Sequence, residues 1–271
     1  MPQPLFFNEI KYIPSFEVAM HRGLWSFVVL FISLTLFNGI KDFFLIFKFP
    51  KKIIILSITA LLIATNWLGF IYSVNIGKVQ DTSLGYFLTP MISISLGYLF
   101  LSEKLNFRKV ISVLLMFFSC LILVFSSDHF PYIAILIGTT WGVYSLLRKQ
   151  IQVPPALGLL FESGLITLFA LPYLVFLGVS ETGFFTYNLN YNSIMLFFTG
   201  IVTIIPLFLF NLGLKYIPLG LAGVLFYIAP SFHFITSVYV LGEYMNNYKF
   251  LAFMIIWIGV SIFIYDAIKK K

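Results

Sequence analysis

Charge is what this chain has least of. Of its 271 residues, 10% are Asp, Glu, Lys or Arg and 60% are hydrophobic, against about 25% charged in soluble domains. So little polar surface cannot face water on all sides, which excludes a soluble globular fold and implies an integral membrane protein. Cysteine is nearly absent: Cys120 is the single one, which excludes an internal disulfide and leaves a packing role within an apolar run. The three histidines, His21, His129 and His233, are scattered, and glycine-rich phosphate loops, HExxH and CxxC are all lacking. The string nearest to a serine-nucleophile turn, Phe161-Glu162-Ser163-Gly164, lacks its first glycine. No catalytic or metal-ligating residue is therefore assigned, an enzyme is not expected, and neither is a prosthetic cofactor. Acidic residues are outnumbered by basic ones, for a net charge of +7. Because Lys and Arg fall in short gaps between apolar runs, the expected partner is anionic membrane lipid; no basic domain exists to bind nucleic acid.

What the chain has in abundance is long apolar stretches. Nine are long enough to cross a bilayer: Gly23–Ile40, Ile53–Asn75, Ser83–Leu101, Val110–Ser126, Pro131–Leu147, Leu157–Gly178, Ser193–Leu214, Leu219–Leu241 and Tyr248–Ile268. Their length excludes a β-barrel, whose strands would be about ten residues of alternating polarity, so the fold class is all-α. Residues 1–20 mix Asn8, Glu9, Lys11 and Glu17 with apolar residues and are read as non-spanning; no basic n-region or cleavage site marks a signal peptide. His21 and Arg22 are expected to anchor the first span at headgroup level.

The chain repeats itself. SLGYFLTPMISISLGYLFLSEKL, Ser83 to Leu105, shares its skeleton with GVLFYIAPSFHFITSVYVLGEYM, Gly223 to Met245. Pro90 and Pro230 lie 140 residues apart, as do Glu103 and Glu243, the acidic residues that close each copy. A period this long denotes a duplicated membrane half, not a solenoid unit. The halves are 1–126 and 131–268, with a basic tail at 269–271, and they hold four and five spans. Ten helices in two equal halves, the first of them preceding the sequence as it stands, are the expectation that this asymmetry raises, through a misplaced start or a real truncation.

Loop charge gives the orientation. Lys41, Lys48, Lys51, Lys52, Lys104, Arg108, Lys109, Arg148, Lys149, Lys215 and Lys269–Lys271 fall on one side, 13 of the 17 basic residues, leaving Lys11, Arg22, Lys78 and Lys249 on the other. The positive-inside rule makes the rich side, with the C-terminus, cytoplasmic in a multi-pass cell (inner) membrane protein. Glu103 and Glu243 then lie on opposite faces, so the halves are inverted. Inverted repeats are characteristic of secondary transporters working by alternating access.

Within the spans a few residues stand out. Pro90 and Pro230 each withdraw an N–H from the helical ladder at Tyr86 and Phe226, giving either a kink beside a cavity or a proline merely tolerated in a membrane helix. Thr89, Ser93 and Gly97 form a small-residue stripe suited to close helix approach, with Ala229, His233 and Ser237 as its counterpart. Arg148 and Glu162, at the same ends of adjacent helices, suggest a structural ion pair across the hairpin or a proton carrier. Asn66 and Asn75 read as interhelical glue.

At these residues the chain resembles the EamA family of the drug/metabolite transporter superfamily, and within it the RarD-type permeases. The resemblance is carried by FEVAMHRGLWS (Phe16–Ser26), NWLGFIYSVN (Asn66–Asn75), SLGYFLTP with LGYLFLSEKL, VYSLLRK (Val143–Lys149), GLLFES (Gly158–Ser163) and LFYIAPSFHF with LGEYM. It implies ten helices in two inverted five-helix halves and a permease for a small-molecule substrate, metabolite or drug; if transport is concentrative, a proton or other ion is the expected coupling partner. Carried over by motif, Trp67, Tyr86, Tyr144, Arg148, Glu162, Tyr227 and His233 are the substrate-cavity candidates. The family's first helix should precede Phe16, where the sequence shows none. An inactive truncated remnant and a membrane enzyme on lipid-linked substrate are the alternatives; a homodimer is one way in which the face left by a lacking helix could be covered.

Overall fold

The computed structural model describes residues 3–76, 79–125, 130–186, 188, 190–228, 231–232 and 247–269, as eleven helices with no strand among the described residues. Pro230, His233, Glu243 and the stripe of Ala229, His233 and Ser237 lie outside them. The helices are α1 (Gln3–Glu9), α2 (Ser15–Leu36), α3 (Ile40–Ile46), α4 (Pro50–Asn75), α5 (Val79–Leu101), α6 (Phe107–Phe125), α7 (Tyr132–Gln150), α8 (Pro155–Val179), α9 (Tyr191–Gly213), α10 (Leu219–Leu225) and α11 (Asn247–Lys269). Seven of them, α2, α4, α5, α6, α8, α9 and α11, are long and apolar enough to cross a membrane. Of the other two expected spans, α7 is 19 residues long but less apolar, and Leu219–Leu241 is described only in part. The chain is a multi-pass membrane protein.

Local chemistry sets the ends. Pro50 and Pro155 open α4 and α8 at the first turn, where a missing N–H is harmless. Asn190 caps α9, its side chain accepting from the Ser193 N–H at 2.8 Å. The first span differs from expectation at both ends. It begins at Ser15, and Glu17 and Arg22 in its early turns meet protein partners, the Phe184 amide and the Thr203 hydroxyl. It ends at Leu36, because Asn38 takes φ 57° and the amides of Asn38 and Gly39 close back on Thr35 and Leu34, the left-handed stop of a Schellman motif. Residues 3–9, read as part of a mixed non-spanning segment, form α1, and its Phe7, with Ile10 and Ile13 just after it, is buried.

The helices repeat at the sequence offset. α2 and α8 start 140 residues apart, as do α5 and α10 and α6 and α11, while α4 and α9 start 141 apart. α1 corresponds at that offset to Val143–Lys149, the later turns of α7. The chain forms two compact units, each drawing on both halves: residues 3–77 with 147–215, and 78–146 with 216–271.

In the first unit α2 packs against α8 and α9, and α4 against α2 and α8. Contacts between α2 and α8 run in reverse order, with Phe16 on Tyr173, Gly23 on Ile166 and Phe27 on Gly164. Repeat-equivalent helices therefore lie antiparallel, as an inverted duplication requires. Gly200 of α9 sits so close to α2 that an added Cβ would stand 2.5 Å from the Trp25 carbonyl carbon.

In the second unit the equivalents are antiparallel too: α6 meets α11 from Lys109 at Phe263 to Ser112 at Gly259, and α5 meets α10 from Ile94 at Gly220 to Pro90 at Gly223. The expected stripe on α5 is used at Ser93, whose Cβ lies 2.7 Å from the Cβ position of Gly223, whereas Gly97 receives the Glu103 carboxylate. Gly138 and Gly142 of α7 seat Leu88 and Ile92 of α5; those small residues, with Thr139 and Thr140, are why α7 is less apolar. Phe87, Ile94, Met116, Tyr227, Ile256 and Phe263 are among the residues that fill this unit's core.

Candidate functional site

The first unit encloses charge. Glu162 on α8 is 2% exposed; its Oε1 accepts from the Thr59 hydroxyl of α4 at 2.6 Å and stands 3.6 Å from Arg148 Nη1. The ion pair expected across the α7–α8 hairpin is present. Arg148 donates through Nε to Asn211 Oδ1 at 2.9 Å and through Nη2 to the Pro155 carbonyl at 3.3 Å. Asn211 in turn donates to the Leu207 carbonyl, so the guanidinium is held by α8 and α9 together. Gly158 makes the room, since a Cβ there would overlap the Arg148 guanidinium. A carboxylate buried within hydrocarbon persists where it is paired and hydrogen-bonded, and each of these contacts supplies part of that requirement.

A second buried charge lies in the same unit. Arg22 on α2, expected at headgroup level, is 4% exposed. Its Nε donates to Thr203 Oγ1 of α9 at 2.5 Å, and its guanidinium lies 4.5 Å over the Trp67 ring and 5.2 Å from that of Phe7. His21 is also inside, 3% exposed and 5.1 Å from the Phe185 ring. Glu17 accepts from the Phe184 amide at 2.7 Å. His21 and Arg22 correct the expectation of a headgroup anchor: they are buried against protein, Arg22 on aromatic faces and Thr203 and His21 beside Phe185. Asn75 acts as the expected glue, donating to the Ile13 carbonyl at 2.9 Å.

The aromatic candidates are placed by the second unit. Tyr86 lies 6.3 Å from Phe226, its equivalent at the 140-residue offset, and Trp141 lies 5.0 Å from Phe226 and 5.7 Å from Tyr144. Tyr227 is 1% exposed in the core, and its hydroxyl donates to the carbonyl of its own equivalent, Phe87, at 3.1 Å. Cys120 approaches the same carbonyl at 3.6 Å, beside the position where Pro90 removes a donor from the ladder. The buried, packed Cys120 matches its expected role. Beyond α5, the Glu103 carboxylate accepts from the amides of Leu219 and Gly220, the first two residues of α10.

The structure thus gathers Arg148 and Glu162 in one cluster, adds Thr59 and Asn211 to it, and sets Trp67 against Arg22. Thr59 and Asn211 carried no motif signal, and Arg22, though within FEVAMHRGLWS, was not among the cavity candidates. Arg22 was nonetheless detectable, because it lies 140 residues before Glu162.

Membrane-length helices related by an inverted duplication, with charge paired inside them, define the transport-protein class of architecture. Comparison with known proteins agrees. The model of the EamA-like transporter family matches residues 5–125 and 131–265. The uncharacterized transporter YojE of Bacillus subtilis (strain 168) is 34% identical over 99% of this chain and 90% of its own length. Protein RarD of Escherichia coli (strain K12) is 32% identical over 98% and 90%. A solved crystal structure aligns with a TM-score of 0.69 over 99% of this chain and 96% of that one, at 16% identity, a likeness of fold alone. The chain belongs to the EamA family of transporters, among its RarD-type members.

Proposed function

We propose that this chain is a secondary transporter that moves a small metabolite or drug across the cell (inner) membrane by alternating access. The observation that carries the proposal is the inverted pairing of repeat-equivalent helices inside each unit. Two inverted copies of one bundle can exchange conformations, so that a site opens first to one side and then to the other. A relative named as a transporter over nearly the whole chain and the match to the EamA-like transporter family support it, and they do not favour an inactive remnant. The C-terminus is cytoplasmic in this reading, from the basic-residue asymmetry.

Trp67, Tyr86, Tyr144, Arg148, Glu162, Tyr227 and His233 are the cavity candidates, and Glu162 is the group through which a proton gradient would act. Its Oε1 accepts from the Thr59 hydroxyl and faces Arg148 Nη1 at 3.6 Å, so protonation there would weaken its attraction to the guanidinium. The test is a solute screen in proteoliposomes with and without an imposed proton gradient. Uptake of a small organic solute by the wild type supports the proposal. If Glu162→Gln keeps exchange and loses gradient-driven accumulation, the proton-carrier role holds; if both survive, the pair is structural.

A further inference from the structure

We infer that the end of the second unit where α6 begins and α11 finishes is a binding site for the phosphate of an anionic phospholipid. A cavity of about 380 Å3 lies there, lined by Asn106, Phe107, Arg108, Asp266 and Lys269. Arg108 and Lys269 flank one aromatic ring, that of Tyr265, at 5.7 and 5.8 Å. The buried acid of the site is already engaged: both Asp266 oxygens accept from Asn106 Nδ2, at 2.6 and 2.7 Å, with Arg108 Nη1 at 4.0 Å. The Arg108 side chain is 49% exposed, so it stays accessible to an anion, and phosphate is the anion that its planar guanidinium matches. Lys109 adds a third cation near the Phe263 ring. Positive charge exceeds negative even with Asp266 counted.

The occupant is a lipid because of where the site lies. Both helices are membrane-length and both end here, so the cavity stands at headgroup depth, the level at which tyrosine and basic side chains anchor. From it the exposed Val110, Leu114 and Phe118, spaced four residues apart along α6, run toward the middle of the span, an apolar lane for an acyl chain. Basic pockets between helices at a membrane surface take anionic headgroups, and each basic residue contributes about fivefold in affinity. The inference rests on the membrane span and not on transport, so it stands or falls separately from the proposed function.

Native mass spectrometry of the full chain, released from nanodiscs of equal phosphatidylglycerol and phosphatidylcholine, tests it. Retention of phosphatidylglycerol over phosphatidylcholine by about fivefold or more is expected, falling toward parity in R108Q/K269Q. K51Q/K52Q, at the equally basic start of α4, should change nothing. Equal retention of the two lipids by the wild type overturns the inference without reference to any variant. So does an equal loss in K51Q/K52Q, which would mean bulk attraction, and so does displacement of the lipid by millimolar inorganic phosphate, which would mean a free-anion site.

Discussion

Arg22 and Glu162 stand 140 residues apart, at equivalent positions of the duplicated chain, and carry opposite charges into the interior of the same unit. Each is 4% exposed or less. Each reaches a threonine of the other half, Arg22 to Thr203 of α9 and Glu162 to Thr59 of α4. The duplication has kept the geometry and divided the chemistry: one copy holds a cation against aromatic faces, the other an anion against Arg148. Two charges of opposite sign at pseudo-symmetric sites give an inverted pair of bundles unequal electrostatics in two otherwise matching arrangements.

The Arg148–Glu162 pair predicts a specific pattern of coupling. Removing one partner strands a buried charge, at a cost of about 3–5 kcal/mol. Arg148→Gln and Glu162→Gln should each lower thermal stability in detergent, and the double variant should recover much of the loss, because neither charge is then left alone. Strictly additive losses would show that the 3.6 Å approach carries no coupling.

Much of this was legible in the sequence, and the reasons differ by element. Seven of the nine expected spans followed from apolar length, the repeat from Pro90, Glu103 and their partners at one offset, and its inversion from loop charge. The Arg148–Glu162 pair followed from opposite charges at the ends of a helical hairpin. Arg22 and His21 were misplaced because composition cannot distinguish a charge at headgroup level from one that an aromatic ring and a threonine satisfy in the interior; that distinction needs Trp67, Phe7 and Thr203, which are distant in sequence. The end of α2 was misjudged for a smaller reason, since Asn38 stops the helix through its backbone conformation while the apolar run continues past it. Thr59 and Asn211 are ordinary residues of apolar helices until folding brings them to Glu162 and Arg148.

Glycine substitutions separate close packing from open surface. An alanine at Gly200 would place its Cβ 2.5 Å from the Trp25 carbonyl carbon and 2.7 Å from the Ser26 nitrogen, backbone atoms that cannot step aside. Gly200→Ala should force α2 and α9 apart and lower stability by about 1–3 kcal/mol. Gly178 has nothing within 4 Å of its Cβ position, so Gly178→Ala should be neutral or stabilising by up to about 1 kcal/mol through helix propensity. Thermal melts of both variants in the same detergent make the comparison. Equal effects would contradict the close α2–α9 contact.

Topology has its own test. Single cysteines introduced at Lys51, Lys104 and Lys269 should resist an impermeant thiol reagent in intact cells and react after permeabilisation. Cys120, buried 3% exposed in the second unit's core, provides a quiet background. Labelling at Lys269 in intact cells would place the C-terminus outside and reverse the assigned orientation.

Counterflow tests alternating access most directly. Proteoliposomes preloaded with a high concentration of a transported solute, then diluted into a trace of the labelled form, should show the label accumulate transiently above equilibrium, because unlabelled solute inside occupies the inward-facing site and competes with the label for exit. The account predicts that overshoot in the wild type. Label that only equilibrates, with no overshoot at any preload, would mean a channel-like path open to both sides at once and would contradict the proposed mechanism.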